Sequence, residues 1–290
     1  MDLVFALVTD VHWGKEAGYD GKLRKLTSHA QALTRQFVDR MNESVHPDLV
    51  VDLGDDIEDE SREADRATYR QCFSLLSECT APVRHVAGNH DLIHLTEDDL
   101  CELWGHRGPL YYSFDLRGAH FVVLYTRETR DVGVDIDEAQ LEWLASDLEH
   151  ANAPAIVLMH HAASEQDVTH SRWFYRAPHL CMVAERRRMR RILLASKKVL
   201  AVFNGHVHWN HFDLCDTIPF FTVQSLTENV DDDAPGRPAR AHAVCHLTDE
   251  RLAVEVAGAE PARYQIELGR AADVTAERPD RSRPGPSRST

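Results

Sequence analysis

Four short polar islands, each placed directly after an apolar run, constrain this chain more than any other feature. Asp10-Val11-His12 follows the run 3–8, Gly54-Asp55 the run 48–53, Gly88-Asn89-His90-Asp91 the run 82–87, and Gly205-His206-Val207-His208 the run 199–203. Apolar runs of this length, closed by turn residues, read as buried strands. Strand ends that meet at one edge of a sheet bring residues distant in sequence within a few ångströms of each other. Asp, Asn and His supply hard oxygen and borderline nitrogen donors, the set that holds a pair of metal ions for hydrolytic chemistry. Taken alone, Asp10-Val11-His12 reads equally well as helix-cap and turn residues. Ordinary caps do not recur at the end of one apolar strand after another with this choice of residues.

In this order the islands resemble the signature of the calcineurin-like metallophosphoesterase superfamily, which runs Asp-x-His, Gly-Asp, Gly-Asn-His-Asp or Glu, His, Gly-His-x-His. The resemblance covers roughly residues 1–260. The additional His of the pattern comes from the strand 155–159, which leads into His160-His161. The resemblance assigns the ligand to His160, directly after the apolar run, and places His161 nearer the substrate. Many relatives follow such a pair with Pro-Pro, whereas Ala162-Ala163 stands here, a departure in the local loop and substrate pocket.

The fold that this resemblance implies is α/β: two facing mixed β-sheets flanked by α-helices, a four-layer sandwich. It implies two divalent or trivalent metal ions. Asp10, His12 and His208 would hold one, Asn89, His160 and His206 the other, and Asp55 would bridge them. Gly-His-x-His suits the division, because alternate residues of an extended segment point the same way. Nitrogen and oxygen donors without a thiolate suit manganese, iron or zinc. Such a pair of ions acidifies a bridging water, and the resulting hydroxide is the expected nucleophile. His90 would serve the leaving group, with Asp91 orienting and charge-stabilising its imidazole. Asn89, His90 and His161 would contact the substrate.

The expected activity is hydrolysis of small soluble phosphodiesters, with phosphomonoesters or nucleotide diphosphate conjugates as the alternative substrates. A non-catalytic scaffold is the less favoured alternative, because every expected ligand is present. The formal charge of −15 argues against a nucleic-acid partner, since phosphate backbones are held by Lys and Arg. An acidic chain still suits a phosphoester substrate, because bound cations reverse the field inside the site. The basic run Arg186, Arg187, Arg188, Arg190 and Arg191 reads as a solvated helix face.

At 290 residues and 43% hydrophobic content the chain suits one large domain, over residues 1–268. From 269 to 290 it holds almost no large apolar side chain, the composition of a disordered tail. The six cysteines form no Cys-x-x-Cys pair and read as free thiols. The run 3–8 is too short for a signal-peptide core. No stretch approaches the roughly 18 apolar residues of a spanning helix. No membrane partner and a cytoplasmic location are therefore expected.

Apolar residues at three- and four-residue steps from Leu23 to Val45 predict one amphipathic helix, and a second is predicted over 62–79. With the flanking strands these make two βαβ units and a parallel sheet. A hairpin is expected across Arg117-Gly118, helices over 137–150 and 183–196, and short strands over 209–256 with a break at Ile218-Pro219. The segment 162–181, with Trp173-Phe174-Tyr175, lacks periodicity. Loops of that length inside a domain are usually functional. It reads as a substrate-facing cap, with local packing or a homo-oligomer interface as the alternative.

Overall fold

Alternation along the first strand, β1 (Asp2–Val8), sets the layering of the molecule. Leu3, Phe5 and Leu7 enter one apolar cluster while Ala6 and Val8 enter another. Successive side chains of a strand face opposite sides of its sheet, so a strand buried on both faces lies between two layers. The computed structural model describes residues 1–268 apart from Ala17 and Asp232. The expected tail at 269–290 lies outside the described residues.

The first βαβ units run through α1 (Ala30–Arg40), β2 (Leu49–Asp52), α2 (Arg62–Leu76) and β3 (Val83–His85), followed by α3 (Glu97–Trp104). The hairpin β4 (Tyr112–Leu116) and β5 (Ala119–Val123) comes next, then a small ribbon, β6 (Arg127–Thr129) and β7 (Gly133–Asp135). Helix α4 (Glu138–His150) leads to β8 (Ala155–Leu158), and α5 (Arg186–Ser196) to β9 (Val199–Asn204). The chain then forms β10 (His211–Cys215), β11 (Ile218–Thr222), β12 (His242–Thr248), β13 (Arg251–Ala257) and β14 (Ala262–Glu267).

Two six-stranded sheets result, ordered β14-β13-β12-β1-β2-β3 and β10-β11-β9-β8-β5-β4. Both are mixed. In the first, β1, β2 and β3 are parallel and β12 joins β1 antiparallel. In the second, β5, β8, β9 and β11 are parallel, with β4 and β10 antiparallel at the edges. The sheets face each other through a cluster that holds Phe5 and Val51 from one side and Phe121, Ile156 and Phe203 from the other. The Phe5 ring meets Phe121 and Phe203 edge-on at 5.6 and 5.7 Å. Helices α1 and α2 cover the outer face of the first sheet, and α4 and α5 that of the second. This is the expected four-layer α/β sandwich.

Several local expectations are corrected. The amphipathic pattern from Leu23 begins a helix only at Ala30, after a 3-10 turn at Thr27–His29. Residues 24–26 are drawn out against the loop 227–229 by Leu26 N–H to Thr227 O (2.9 Å) and Asn229 N–H to Arg24 O (2.7 Å). Strand β11 runs through the expected break. Pro219 faces Leu214 of β10, and the ladder to β9 starts only at Phe220, so the missing N–H interrupts no bond to β9. On α5, Arg186, Arg187 and Arg190 pair with Glu165 and Arg188 pairs with Glu138, an ion-paired solvated face. Among the described residues no helix is long and apolar enough to cross a membrane.

Candidate metal centre

All five polar segments follow the carboxyl ends of parallel strands: β1, β2 and β3 of one sheet, β8 and β9 of the other. The chain turns sharply there. Asp10, His12, Asp55, His206 and His208 all take left-handed backbone angles, with φ of 51, 46, 58, 66 and 62°. Each such residue costs on the order of 1–3 kcal/mol and persists only where its surroundings fix it. The segments fix one another. Asp10 N–H donates to Gly54 O and His12 N–H to Asp55 O, both at 2.9 Å, while His206 N–H donates to Asp10 Oδ2 at 2.9 Å. Two glycines permit this approach. A Cβ on Gly88 would lie 2.2 Å from Asp55 N, and one on Gly205 would lie 1.9 Å from Thr9 Oγ1.

The structure brings together all seven residues expected as ligands. Candidate ligand atoms of Asp10, His12 and His208 lie within 4.8 Å of one another, as do those of Asp10, Asp55 and His160. His208 Nε2 is 3.2 Å from Asp10 Oδ1 and 3.1 Å from His12 Nε2. Asp55 Oδ2 lies between the two halves, 3.7 Å from His12 Nε2 and 3.3 Å from His160 Nε2. Asn89 Oδ1 is 3.2 Å from His160 Nε2. His206 turns Nε2 to Leu180 O at 2.9 Å, which leaves Nδ1 as its available nitrogen.

This donor set fits two cations. Asp10 Oδ1 is buried and faces the His208 imidazole nitrogen at 3.2 Å without a well-formed hydrogen bond, a situation native proteins avoid unless something else satisfies the oxygen. The outer nitrogens of the histidines are already engaged: His12 Nδ1 lies 3.0 Å from Glu58, His208 Nδ1 2.7 Å from Glu228, and His160 Nδ1 2.8 Å from Leu53 O. Imidazoles that bind metal are typically oriented by such partners. Burial raises the Asp10 and Asp55 carboxyls, but His208 beside the first and His160 beside the second hold both well below the usual range. Burial lowers His160 and His208 in turn, and is outweighed by Asp55 for the former, at about 10, and by Asp10 for the latter, at about 9.

A cavity of about 660 Å³ opens over the cluster, lined by Asp55, Asn89, His90, His206 and His208. His90 Nδ1 lies 2.7 Å from Asp59 Oδ1, so Nε2 is the nitrogen left for a ligand. Asp91 does not reach that ring. Its carboxyl accepts from the backbone N–H of Gly88, Asp55 and Asp56, each at 2.9 Å. Buried N–H groups of the turning loop require acceptors, and Asp91 is the side chain inside that loop. The expected Asp91–His90 pair is therefore replaced by Asp59–His90. His161 is fully buried and does not line the cavity. Its Nδ1 bonds Thr126 Oγ1 at 2.7 Å and its Nε2 lies 3.6 Å from Glu128 Oε2, and Thr126, Glu128 and His206 line the cavity in front of it.

Sequence reasoning missed Lys25, Glu58, Asp59 and Glu228. Glu58 and Asp59 stand in the acidic run directly after Gly54-Asp55, a visible signal, whereas nothing marks Glu228 in its loop. Trp173 and Phe174 of the 162–181 segment line the cavity, while Tyr175 is exposed and bonds Asp20.

Comparison with known proteins places the fold and the family. A stretch of 178 residues, 58% of this chain, is 24% identical to a probable cyclic nucleotide phosphodiesterase from Psychrobacter arcticus and spans 59% of that protein's length. The fold is similar to that of a dimetal phosphatase from Danio rerio, with a TM-score of 0.75 and 18% identity over 92% of this chain and 99% of that one. It is also similar to a purple acid phosphatase from yellow lupin (Lupinus luteus) seeds, with a TM-score of 0.67 and 13% identity over 92% of this chain and 54% of the other. The family model of the calcineurin-like phosphoesterases matches residues 3–210. With that match over more than two thirds of its length, the chain belongs to the calcineurin-like phosphoesterase family.

Proposed function

We propose that this chain is a dinuclear metal-dependent hydrolase of small soluble phosphodiesters. The observation that carries the reading is the position of Asp55 Oδ2 between His12 Nε2 and His160 Nε2, at 3.7 and 3.3 Å, where one carboxylate can serve two ions. Asp10, His12 and His208 would hold the first ion, and Asn89, His160 and His206 the second. Nitrogen and oxygen donors favour manganese, iron or zinc. When bound, such a pair supplies charge neutralisation at phosphorus and an acidified water.

The chain's own residues supply the rest. His90 faces the cavity with Nδ1 held by Asp59, so Nε2 can keep a proton directed to a leaving-group oxygen. Burial and Lys25 lower its basicity, but Asp55, Asp59 and Glu58 outweigh them and raise it, which favours the protonated form an acid needs. Asn89 would contact a phosphoryl oxygen as well as an ion. Asp91 holds the loop that carries both. The walls add Tyr19, Lys25, Tyr125, Trp173 and Phe174, which suits an ester with a substituent beyond phosphate.

Diester preference is supported by the similarity to the Psychrobacter protein, which covers 59% of that protein. The test is a panel of cyclic nucleotides, glycerophosphodiesters, nucleotide diphosphate conjugates and monoesters, run after chelation and reloading with Mn²⁺. Faster hydrolysis of diesters than of monoesters is expected. The reverse order overturns the substrate assignment, and no hydrolysis of any ester overturns the enzymatic reading.

A further inference from the structure

The four histidines of the centre are held from behind in two different ways. His12 and His208 have carboxylates behind them, with Glu58 Oε2 3.0 Å from His12 Nδ1 and Glu228 Oε2 2.7 Å from His208 Nδ1. His160 and His206 meet backbone carbonyls instead, Leu53 O at 2.8 Å and Leu180 O at 2.9 Å. A carboxylate behind an imidazole fixes its tautomer and strengthens it as a donor to a cation. The two halves of the centre are therefore unequal.

Glu228 has a second partner. Its Oε2 accepts from Trp173 Nε1 at 3.1 Å, and Arg172 approaches Oε1 at 3.6 Å. The Trp173 ring is half-buried, with its centroid 4.9 Å from Tyr19 and 4.9 Å from His208, and Lys25 Nζ 5.3 Å away. Lys25 donates to Glu58 at 2.5 Å. One indole in the 162–181 segment thus touches the carboxylate behind His208 and, through Lys25, the one behind His12.

We propose that Trp173 is a positioning residue for the His12–His208 half of the centre: its N–H seats the 162–181 segment on Glu228, and cation binding there and seating of the segment strengthen each other. This rests on the dinuclear reading above. The coupling is reciprocal because it is a binding free energy shared between two sites.

The test uses the full chain, stripped with chelator and titrated calorimetrically with Mn²⁺, together with hydrogen exchange over residues 168–181. In the wild type, Mn²⁺ should slow exchange in that segment. Trp173→Phe keeps the ring and removes the donor, so one of two Mn²⁺ ions should bind about 10-fold more weakly, with the other unchanged within about twofold. Glu228→Gln should weaken the same ion, and the double variant should be no worse than Glu228→Gln alone. Unchanged affinities in Trp173→Phe, equal weakening of both ions, or wild-type exchange indifferent to Mn²⁺ overturns the proposal and leaves the dinuclear centre standing. A wild-type chain that binds no Mn²⁺ overturns both.

Discussion

Asp59 Oδ1 lies 2.7 Å from Nδ1 of His90, which fixes the tautomer of a histidine that faces the cavity without belonging to the expected ligand set. His90→Ala should therefore leave metal content intact and lower turnover by about 10²–10⁴-fold. The loss should be smaller for a p-nitrophenyl ester, whose leaving group needs little protonation, than for an alkyl ester. Asp59→Asn should act through His90. Removing a carboxylate that raises the imidazole's basicity lowers its pKa, so the basic limb of the kcat/KM profile should move to lower pH. An unmoved limb would separate Asp59 from catalysis.

Metal binding should release protons. In the cation-free centre, His160 at about 10 and His208 at about 9 carry protons at neutral pH, held by Asp55 and Asp10 respectively against burial. Ions must displace them. Calorimetry in buffers of different ionisation enthalpy should report release of about two protons per chain near neutral pH. Affinity should rise as pH climbs through those values. Binding with no proton release would place the ions elsewhere.

A pH effect on stability is expected far from the centre. His120 of β5 lies 2.7 Å from Asp115 of β4 through Nδ1 and 2.8 Å from Asp147 of α4 through Nε2. Burial lowers its pKa, but the bonds to Asp147 and Asp115 outweigh it and raise the value. A pKa raised on folding gives stability that is full below the unfolded value of about 6.5 and is lost as pH rises through the folded one. The melting-temperature gap between wild type and His120→Gln should be widest in mild acid and narrow in base. A gap independent of pH would show that protonated His120 adds nothing.

Most ligand positions were legible because they follow buried strands, β1, β2, β8 and β9, where an Asp or His closes the run, whereas Asn89 follows the half-exposed edge strand β3 and was legible from Gly88-Asn89-His90-Asp91 itself. Helix α3 carries an equally plain signal, Thr96 capping Asp99 and Gly105 at the far end, which apolar spacing alone does not register. The partners of the ligands were not legible. Glu228 reaches His208 because the loop 225–229 is pinned by Ser225 Oγ to Asp10 O at 2.8 Å, a contact between residues 215 apart. Asp59 took the role expected of Asp91 for a similar reason. Adjacency in sequence pointed to Asp91 as the partner of His90, whereas the tight loop turned its carboxyl toward buried N–H groups.

The central claim is that one carboxylate joins two ions, and elemental analysis of wild type and Asp55→Ala after saturation with Mn²⁺ and desalting tests it most directly. Wild type should hold two ions per chain, and Asp55→Ala should lose both, because each loses a donor at once. A variant that retains one ion at full occupancy would contradict the bridging role of Asp55, and a wild type with one ion or none would contradict the dinuclear centre itself.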